Sequence, residues 1–130
     1  MIVLDASVAL EVLLRTPDAG RLEAVVFDPT ETLHSPHLID LEVAQVLRRY
    51  VSTGQVDAER CKTALVDLND IPLTRYPHNF ILPRIWELRN NFTAYDAAYV
   101  ALAEALEAPL LTRDQRLAKA PGHHAQVKII

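Results

Sequence analysis

Four acidic residues of this 130-residue chain stand where a carboxylate can do chemistry. Asp5 directly follows a short apolar run at the start of the chain, and Asp114 follows another such run near its end. Asp96 and Glu42 lie in segments whose apolar spacing is helical. A site made of carboxylates alone suits Mg²⁺ or Mn²⁺ better than zinc. Such ions typically serve phosphoryl transfer, because they polarise a phosphate and activate a water molecule.

Each of these acids also has an ordinary structural explanation. Asp5 and Asp114 could cap the helices that follow them. Thr93 precedes Asp96 by three residues, which fits a capping box with Asp in place of the usual Glu. Glu42 has apolar neighbours one helical turn away on either side, so neither a cap nor the helix dipole explains it, and an exposed rim position is its alternative. The residues alone leave these alternatives open.

Short apolar strands alternate with helices along the whole chain. The predicted strands are Ile2–Leu4, Thr32–Ser35, Ile71–Leu73, Leu110–Thr112 and Val127–Ile130. The predicted helices are Ala6–Leu14, Asp18–Phe27, His37–Ser52, Asp57–Leu68, Phe80–Asn91, Ala94–Leu106 and Gln115–Ala120. We find no repeat and no linker. We therefore expect a single domain over residues 1–130.

The strands are apolar throughout and do not alternate with polar residues. This pattern indicates an α/β fold, in which a central parallel sheet of four to five short strands lies between two helical layers. Ligands of open parallel sheets bind beyond the carboxyl ends of the strands. Asp5, Glu42, Asp96 and Asp114 are therefore expected to converge on one edge of the sheet. Four carboxylates in one pocket repel each other unless a cation compensates them.

Composition narrows the function classes further. No apolar run approaches the roughly 20 residues of a membrane span, and we expect no membrane association. The initial apolar run has no basic segment before it and is broken by Asp5, and Cys61 is the only cysteine. We therefore expect a cytoplasmic protein. The net charge of −4 is unusual for a protein that grips nucleic acid over a broad surface. Acids concentrated around a metal ion would explain that charge.

Four segments resemble, in order, the acid-bearing motifs of PIN-domain proteins. Ile2–Val8 is similar to the opening strand that ends in Asp and is followed by x-Ser-x, and Leu41–Leu47 resembles the helix of the second acid. Thr93–Ala103 is close to the helix of the third acid in VapC toxins. Leu110–Ala118 resembles the strand and loop that carry the fourth acid. The likeness covers nearly the whole chain.

The resemblance implies the three-layer α/β/α PIN fold and the activity of a toxin in a type II toxin–antitoxin pair. VapC toxins are Mg²⁺- or Mn²⁺-dependent endoribonucleases that cut cellular RNA, often tRNA or ribosomal RNA. They usually form homodimers, and a cognate antitoxin obstructs their acidic site. The match places the metal site on Asp5, Glu42, Asp96 and Asp114, supported by the small hydroxyl residues Ser7 and Thr112.

Four arginines could contact the phosphates of an RNA substrate, namely Arg48, Arg49, Arg113 and Arg116. Arg113 is best placed because Asp114 is its neighbour, although a solvated or salt-bridged role is as open for each of them.

Two other functions remain open. One is a PIN-type nuclease of RNA maturation that is not a toxin. The other is a non-catalytic α/β binding module whose acids are helix caps, which a divalent-metal titration would distinguish.

Overall fold

A single five-stranded parallel sheet forms the centre of the computed structural model, which describes all residues from Met1 to Ile130. Its strands are β1 (Ile2–Leu4), β2 (Leu33–Pro36), β3 (Leu73–Tyr76), β4 (Leu110–Thr112) and β5 (Val127–Ile129). Their order across the sheet is β3-β2-β1-β4-β5, and every neighbouring pair is parallel. The predicted parallel sheet is confirmed.

Helices cover both faces of this sheet. They are α1 (Ala6–Leu13), α2 (Ala19–Val26), α3 (Leu38–Ser52), α4 (Ala58–Asp70), α5 (Leu82–Glu87), α6 (Ala94–Leu106) and α7 (Gln115–Lys119). The apolar core on one face is formed with α1 to α4, and the core on the other face with α5 to α7. The predicted three-layer α/β/α architecture is therefore confirmed. None of these helices combines the length and the apolar character that a membrane crossing requires.

The strand order reverses beside β1. From β1 the chain moves outward to β2 and β3, and it then returns to place β4 on the opposite side of β1. Val3 is consequently paired with His34 on one side and with Leu110 on the other. The carboxyl ends of β1 and β4 lie side by side at this reversal, where open α/β sheets bind their ligands.

Helix α6 packs closely against the sheet because its buried stretch is rich in small residues. All seven residues of 97–103 are buried, and four of them are alanines. The helix lies across β1, β2 and β4. This packing gives α6 a rigid position, and its first turn lies near the carboxyl ends of the strands.

The third strand differs from the prediction Ile71–Leu73. Helix α4 extends to Asp70, and β3 begins only at Leu73. Pro72 has no N–H to donate to a ladder, which favours a start after it. Arg75 forms a two-point ion pair with Asp40, with contacts of 2.8 Å and 2.9 Å. A polar residue of this kind is typical of an edge strand, and it obscures the apolar pattern.

The helix predicted over Phe80–Asn91 is also shorter in the structure. A 3₁₀ turn covers Asn79–Ile81, and α5 extends only from Leu82 to Glu87. Pro83 explains the late start, because proline is tolerated in the first turn of an α-helix and not in its interior.

Leu102→Ala tests the packing of α6. Leu102 is fully buried between α6 and the sheet, so truncation should lower the free energy of unfolding by about 2–5 kcal/mol. Urea denaturation measures this loss. Leu65→Ala on α4 is the matched control, because Leu65 is 40% exposed and should lose much less. Equal losses in the two variants would contradict the buried position of α6.

Candidate active site

A cleft of about 430 Å³ lies at the carboxyl ends of β1 and β4. Residues from α1, α3, α6 and the loop before α7 line it. Its lining includes all four acids singled out in the sequence, Asp5, Glu42, Asp96 and Asp114. The structure therefore brings together side chains that lie up to 109 residues apart, since 114 − 5 = 109.

Asp5 is held by hydroxyl groups and does not cap a helix. Its backbone N–H donates to Leu111 O at 3.1 Å, which extends the pairing of β1 with β4 by one residue. Its side chain makes no capping hydrogen bond to α1. Instead, Asp5 Oδ2 accepts from Ser7 Oγ at 2.9 Å and from Thr112 Oγ1 at 2.6 Å. Burial raises the pKa of the Asp5 carboxyl, and these two hydrogen bonds partly oppose that rise.

Main-chain donors orient both hydroxyl groups. Ser7 Oγ accepts from the backbone N–H of Arg113 at 3.0 Å. Thr112 Oγ1 accepts from the backbone N–H of Asp114 at 3.0 Å. Each hydroxyl group has one proton, so these contacts leave that proton for Asp5. The loop after β4 thus sets the orientation of the Asp5 carboxylate.

Asp96 lies in the first turn of α6, three residues after Thr93, which caps the helix. Thr93 Oγ1 accepts the backbone N–H of Asp96 at 3.1 Å. This capping bond uses the main chain of Asp96. The pKa of Asp96 is raised by burial first and by the nearby charge of Asp5 second. The carboxylate therefore remains available for another role.

Glu42 is half-buried, and its Oε1 atom is shielded from water with the Tyr99 hydroxyl group beside it. Burial raises the pKa of Glu42, a hydrogen bond from Tyr99 opposes that rise, and the charges of Asp5 and Asp96 add to it. A carboxylate in such a place costs free energy unless something compensates its charge. The alternative of an exposed rim position is therefore wrong for Glu42.

Tyr99 was not among the residues expected at this site. Its hydroxyl group is buried beside Glu42 and bonds to the Glu42 carboxyl. Burial, followed by the charge of Glu42, raises the pKa of Tyr99 far above its ordinary range. Tyr99 lies three residues after Asp96, which places both on one side of α6. That spacing is the sequence signal that could have identified it.

Asp114 does cap a helix, as its structural alternative proposes. Its carboxylate accepts the backbone N–H of Arg116 at 2.9 Å at the start of α7. The same carboxylate pairs with the Arg116 guanidinium group, the closest contact being 2.6 Å. These side-chain hydrogen bonds lower the pKa of Asp114.

Arg113 was expected to be the arginine best placed for a phosphate contact, but other arginines lie at the cleft. Arg113 does not line the cleft. Its guanidinium group contacts Asp18 Oδ2 at 2.7 Å and Ile130 O at 2.8 Å. Arg49 and Arg116 line the cleft instead. Contact between Arg113 and an RNA phosphate stays a prediction.

The donor set fits a hard divalent cation, although the side chains are not gathered around one point. No three Asp, Glu, His or Cys side chains are arranged to hold one ion directly. However, four carboxylates line one cleft, and both hydroxyl hydrogen bonds to Asp5 use the same oxygen, Oδ2. Mg²⁺ and Mn²⁺ favour such carboxylate oxygens and commonly retain waters that span the remaining distance.

The sequence and the fold match a known family. The PIN domain family model matches residues 2–123, and the chain belongs to the PIN-domain family. A VapC ribonuclease of Mycobacterium bovis is 47% identical over 117 residues, covering 90% of this chain and 88% of that protein. Ribonuclease VapC12 of Mycobacterium tuberculosis is 37% identical over 130 residues, covering 100% and 99%. Within the family, the chain therefore groups with the VapC ribonucleases.

Solved structures share the fold at low sequence identity. VapBC2 from Rickettsia felis, bound to a DNA fragment from their promoter, includes a chain with a TM-score of 0.68 and 13% identity, covering 99% of this chain and 98% of that chain. VapC20 of Mycobacterium tuberculosis, a sarcin-ricin loop cleaving toxin, has a TM-score of 0.67 and 9% identity, covering 91% and 93%. These matches confirm the predicted fold.

Glu42→Gln tests the electrostatic strain of the metal-free cleft. A carboxyl group with a raised folded pKa contributes stability below its ordinary pKa, and this contribution is lost as the pH rises through the folded value. Glutamine cannot ionise. The variant should therefore be more stable than the parent near pH 7, and the difference should shrink towards pH 4. Urea unfolding in EDTA at the two pH values measures it.

Asp28→Asn is the control, because the fold shifts the pKa of Asp28 in the opposite direction to that of Glu42. Hydrogen bonds from Thr30 lower the pKa of the exposed Asp28 carboxyl. This ionised carboxylate stabilises the fold above its ordinary pKa, so the variant should lose stability near pH 7 and not in acid. A Glu42→Gln variant that behaves like Asp28→Asn would contradict the strain at Glu42.

Proposed function

We propose that this chain is a Mg²⁺- or Mn²⁺-dependent endoribonuclease and the toxin of a type II toxin–antitoxin pair. The observation that carries the proposal is the shared cleft of Asp5, Glu42, Asp96 and Asp114, in which Glu42 is buried beside the charges of Asp5 and Asp96. Like charges in a desolvated cleft raise each other's pKa, and a divalent cation relieves this repulsion. The four-carboxylate cleft is accordingly the proposed metal and catalytic site.

The protein supplies ligands, orientation and a restricted environment. When bound, the ion polarises a phosphodiester and makes a water molecule more acidic. Ser7 and Thr112 orient Oδ2 of Asp5 towards the loop after β4, and Asp5 also lines the cleft. Glu42 and Asp96 approach from opposite helical layers, and Asp114 completes the ligand set from the loop after β4. Tyr99 orients Glu42 through a hydrogen bond.

Cellular RNA of the tRNA or ribosomal RNA class is the proposed substrate. This part rests on the VapC relatives, which are ribonucleases, and on VapC20, a sarcin-ricin loop cleaving toxin of the same fold. Arg49 and Arg116 at the cleft supply positive charge that attracts phosphate groups despite the net charge of −4. A nuclease of RNA maturation would use the same chemistry, and it differs in causing no growth arrest.

Protein partners are the remaining part of the proposal. Several large apolar side chains are more than half exposed, namely Leu41, Leu82, Trp86 and Tyr95. Exposed apolar side chains are available for contacts with other proteins. We assign it to a cognate antitoxin and to a second copy of this chain, in line with VapBC2 from Rickettsia felis, which shares the fold. Arg113 and the loop around it stay candidates for RNA contact.

Metal binding should stabilise the folded protein. An ion that binds only the native state raises the melting temperature with its concentration, and it adds about 2.7 kcal/mol at one hundred times its dissociation constant. Thermal melts across millimolar Mg²⁺ and Mn²⁺ measure this shift. Asp96→Asn should weaken the response. Asp57→Asn, which changes the cap of α4 outside the cleft, should retain it. A melting curve that ignores both ions would contradict the metal site.

Asp96→Asn should also abolish RNA cleavage while the protein stays folded. Cleavage should fall by orders of magnitude, since each 1.36 kcal/mol of lost transition-state stabilisation is tenfold in rate. Asp57→Asn is the matched control, because Asp57 accepts the backbone N–H of Arg60 at 2.8 Å and serves as a cap. It should lose about 1 kcal/mol of stability or less and cleave normally.

Cells provide the second readout of the same variants. Expression without an antitoxin should arrest growth for the parent and for Asp57→Asn, and not for Asp96→Asn. A folded Asp96→Asn protein that cleaves RNA at the parental rate would refute the proposed mechanism. Cleavage without growth arrest would favour the maturation nuclease over the toxin.

A further inference from the structure

We infer that Arg116 is an internal counter-cation of the acidic cleft, which holds Asp114 until a divalent ion displaces it and then contacts an RNA phosphate in the adjoining cleft. This inference rests on the proposed metal-dependent function and adds a competing group within the chain itself. Arg116 thereby sets how readily the cleft accepts its ion.

The contact between Arg116 and Asp114 occupies both carboxylate oxygens. Arg116 Nε lies 3.1 Å from Oδ1 and 3.2 Å from Oδ2, and Nη2 lies 2.6 Å from Oδ2. A guanidinium group that binds a carboxylate in this way covers the oxygens that a metal ion would use. Asp114 can join a metal site only if this contact opens.

The charge of Arg116 reaches a second acid of the cleft. It lowers the pKa of Asp96 and so opposes the effects of burial and of Asp5. Asp114 and Asp96 both raise the pKa of Arg116 in return. Arg116 thus partly compensates two of the four proposed ligands in the absence of metal.

The contact is weak enough to be displaced. The Arg116 side chain is 81% exposed, and ion pairs in contact with water contribute little to stability. A divalent ion carries twice the charge of a guanidinium group, and in an ion site it is often the largest local charge. The contact therefore weakens ion binding without preventing it.

The main chain keeps Arg116 at the site after its side chain is released. Its backbone N–H is bound by Asp114 at the start of α7, so only the side chain needs to move. Arg116 also lines a second cleft of about 530 Å³, which it shares with Asp96. That cleft includes Arg89, Asn90 and Asn91, and Asp96 is its only acid. The side chain can therefore move from an acidic cleft to one that favours an anion.

Metal affinity in the absence of RNA is the first test. Isothermal titration with Mn²⁺ compares the parent with Arg116→Gln and Arg113→Gln. Arg116→Gln should bind about two- to fivefold more tightly, which corresponds to removing an exposed ion pair of up to 1 kcal/mol. Arg113→Gln is the matched control, because it removes the same charge but pairs with Asp18 outside the cleft. Its affinity should not change.

Movement of the side chain is the second test. The Nε–Hε signal of Arg116 in an NMR spectrum is identified by its loss in Arg116→Gln. It should shift as Mg²⁺ saturates the protein, whereas the Arg113 signal should not. A 2′-O-methyl RNA oligonucleotide, which resists hydrolysis, then reports the phosphate contact. Arg116→Gln should bind it more weakly than the parent in Mg²⁺ and equally well in EDTA.

The outcomes separate the inference from the function on which it rests. Parent and Arg116→Gln proteins with the same Mn²⁺ affinity would overturn the role of Arg116 and leave the metal site intact. Equal tightening in Arg113→Gln would reduce the effect to net charge and overturn it as well. Absence of Mn²⁺ binding in every protein would overturn the metal-dependent function, and the inference with it.

Discussion

The carboxyl group of Asp5 is held almost out of contact with water, and the arrangement of the site depends on how the fold satisfies its hydrogen bonds there. Central position in the sheet buries Asp5, and pairing with β4 brings Thr112 beside it. Ser7 reaches the same oxygen from the first turn of α1. Backbone N–H groups of the loop after β4 orient both hydroxyl groups. The strand order, the loop after β4 and the first turn of α1 therefore all help to position the Asp5 carboxyl group.

The distribution of charge follows from the same requirement. The acids gather where the strand order reverses, and the arginines lie at the margin of that region and in the cleft beside it. The net charge of −4 is therefore distributed unevenly, so that one cleft favours a cation and the cleft beside it favours an anion. The proposed phosphodiester substrate would use both, with a metal ion at its reacting phosphate and protein cations at its flanking phosphates.

Local patterns predicted the elements that are central and apolar, and they failed where tertiary contacts decide. Strands β1 and β4 have continuous apolar runs, whereas β3 carries Thr74 and Arg75 on an edge, where little burial is needed. The sequence does not decide whether Asp5 and Asp96 cap their helices, because an acid at the start of a helix can be either a cap or a metal ligand. Only the hydrogen bonds of the folded protein show whether a cap uses the side chain. The partner of Arg116 depends on its rotamer, which sequence spacing does not determine.

The cleft is assembled from both ends of the chain, which has a consequence for biosynthesis. Asp5 leaves the ribosome 107 residues before its Thr112 partner and well before the adjacent strand β4. A growing chain that lacks β4 has no neighbour on that side of β1 and lacks two of the groups that line the cleft or orient Asp5, Thr112 and Asp114. Domains fold as units once their last elements are available. The acidic site therefore forms only after β4 has been made. Until then, the ribosome that synthesises the chain is in contact with a nuclease whose site is incomplete.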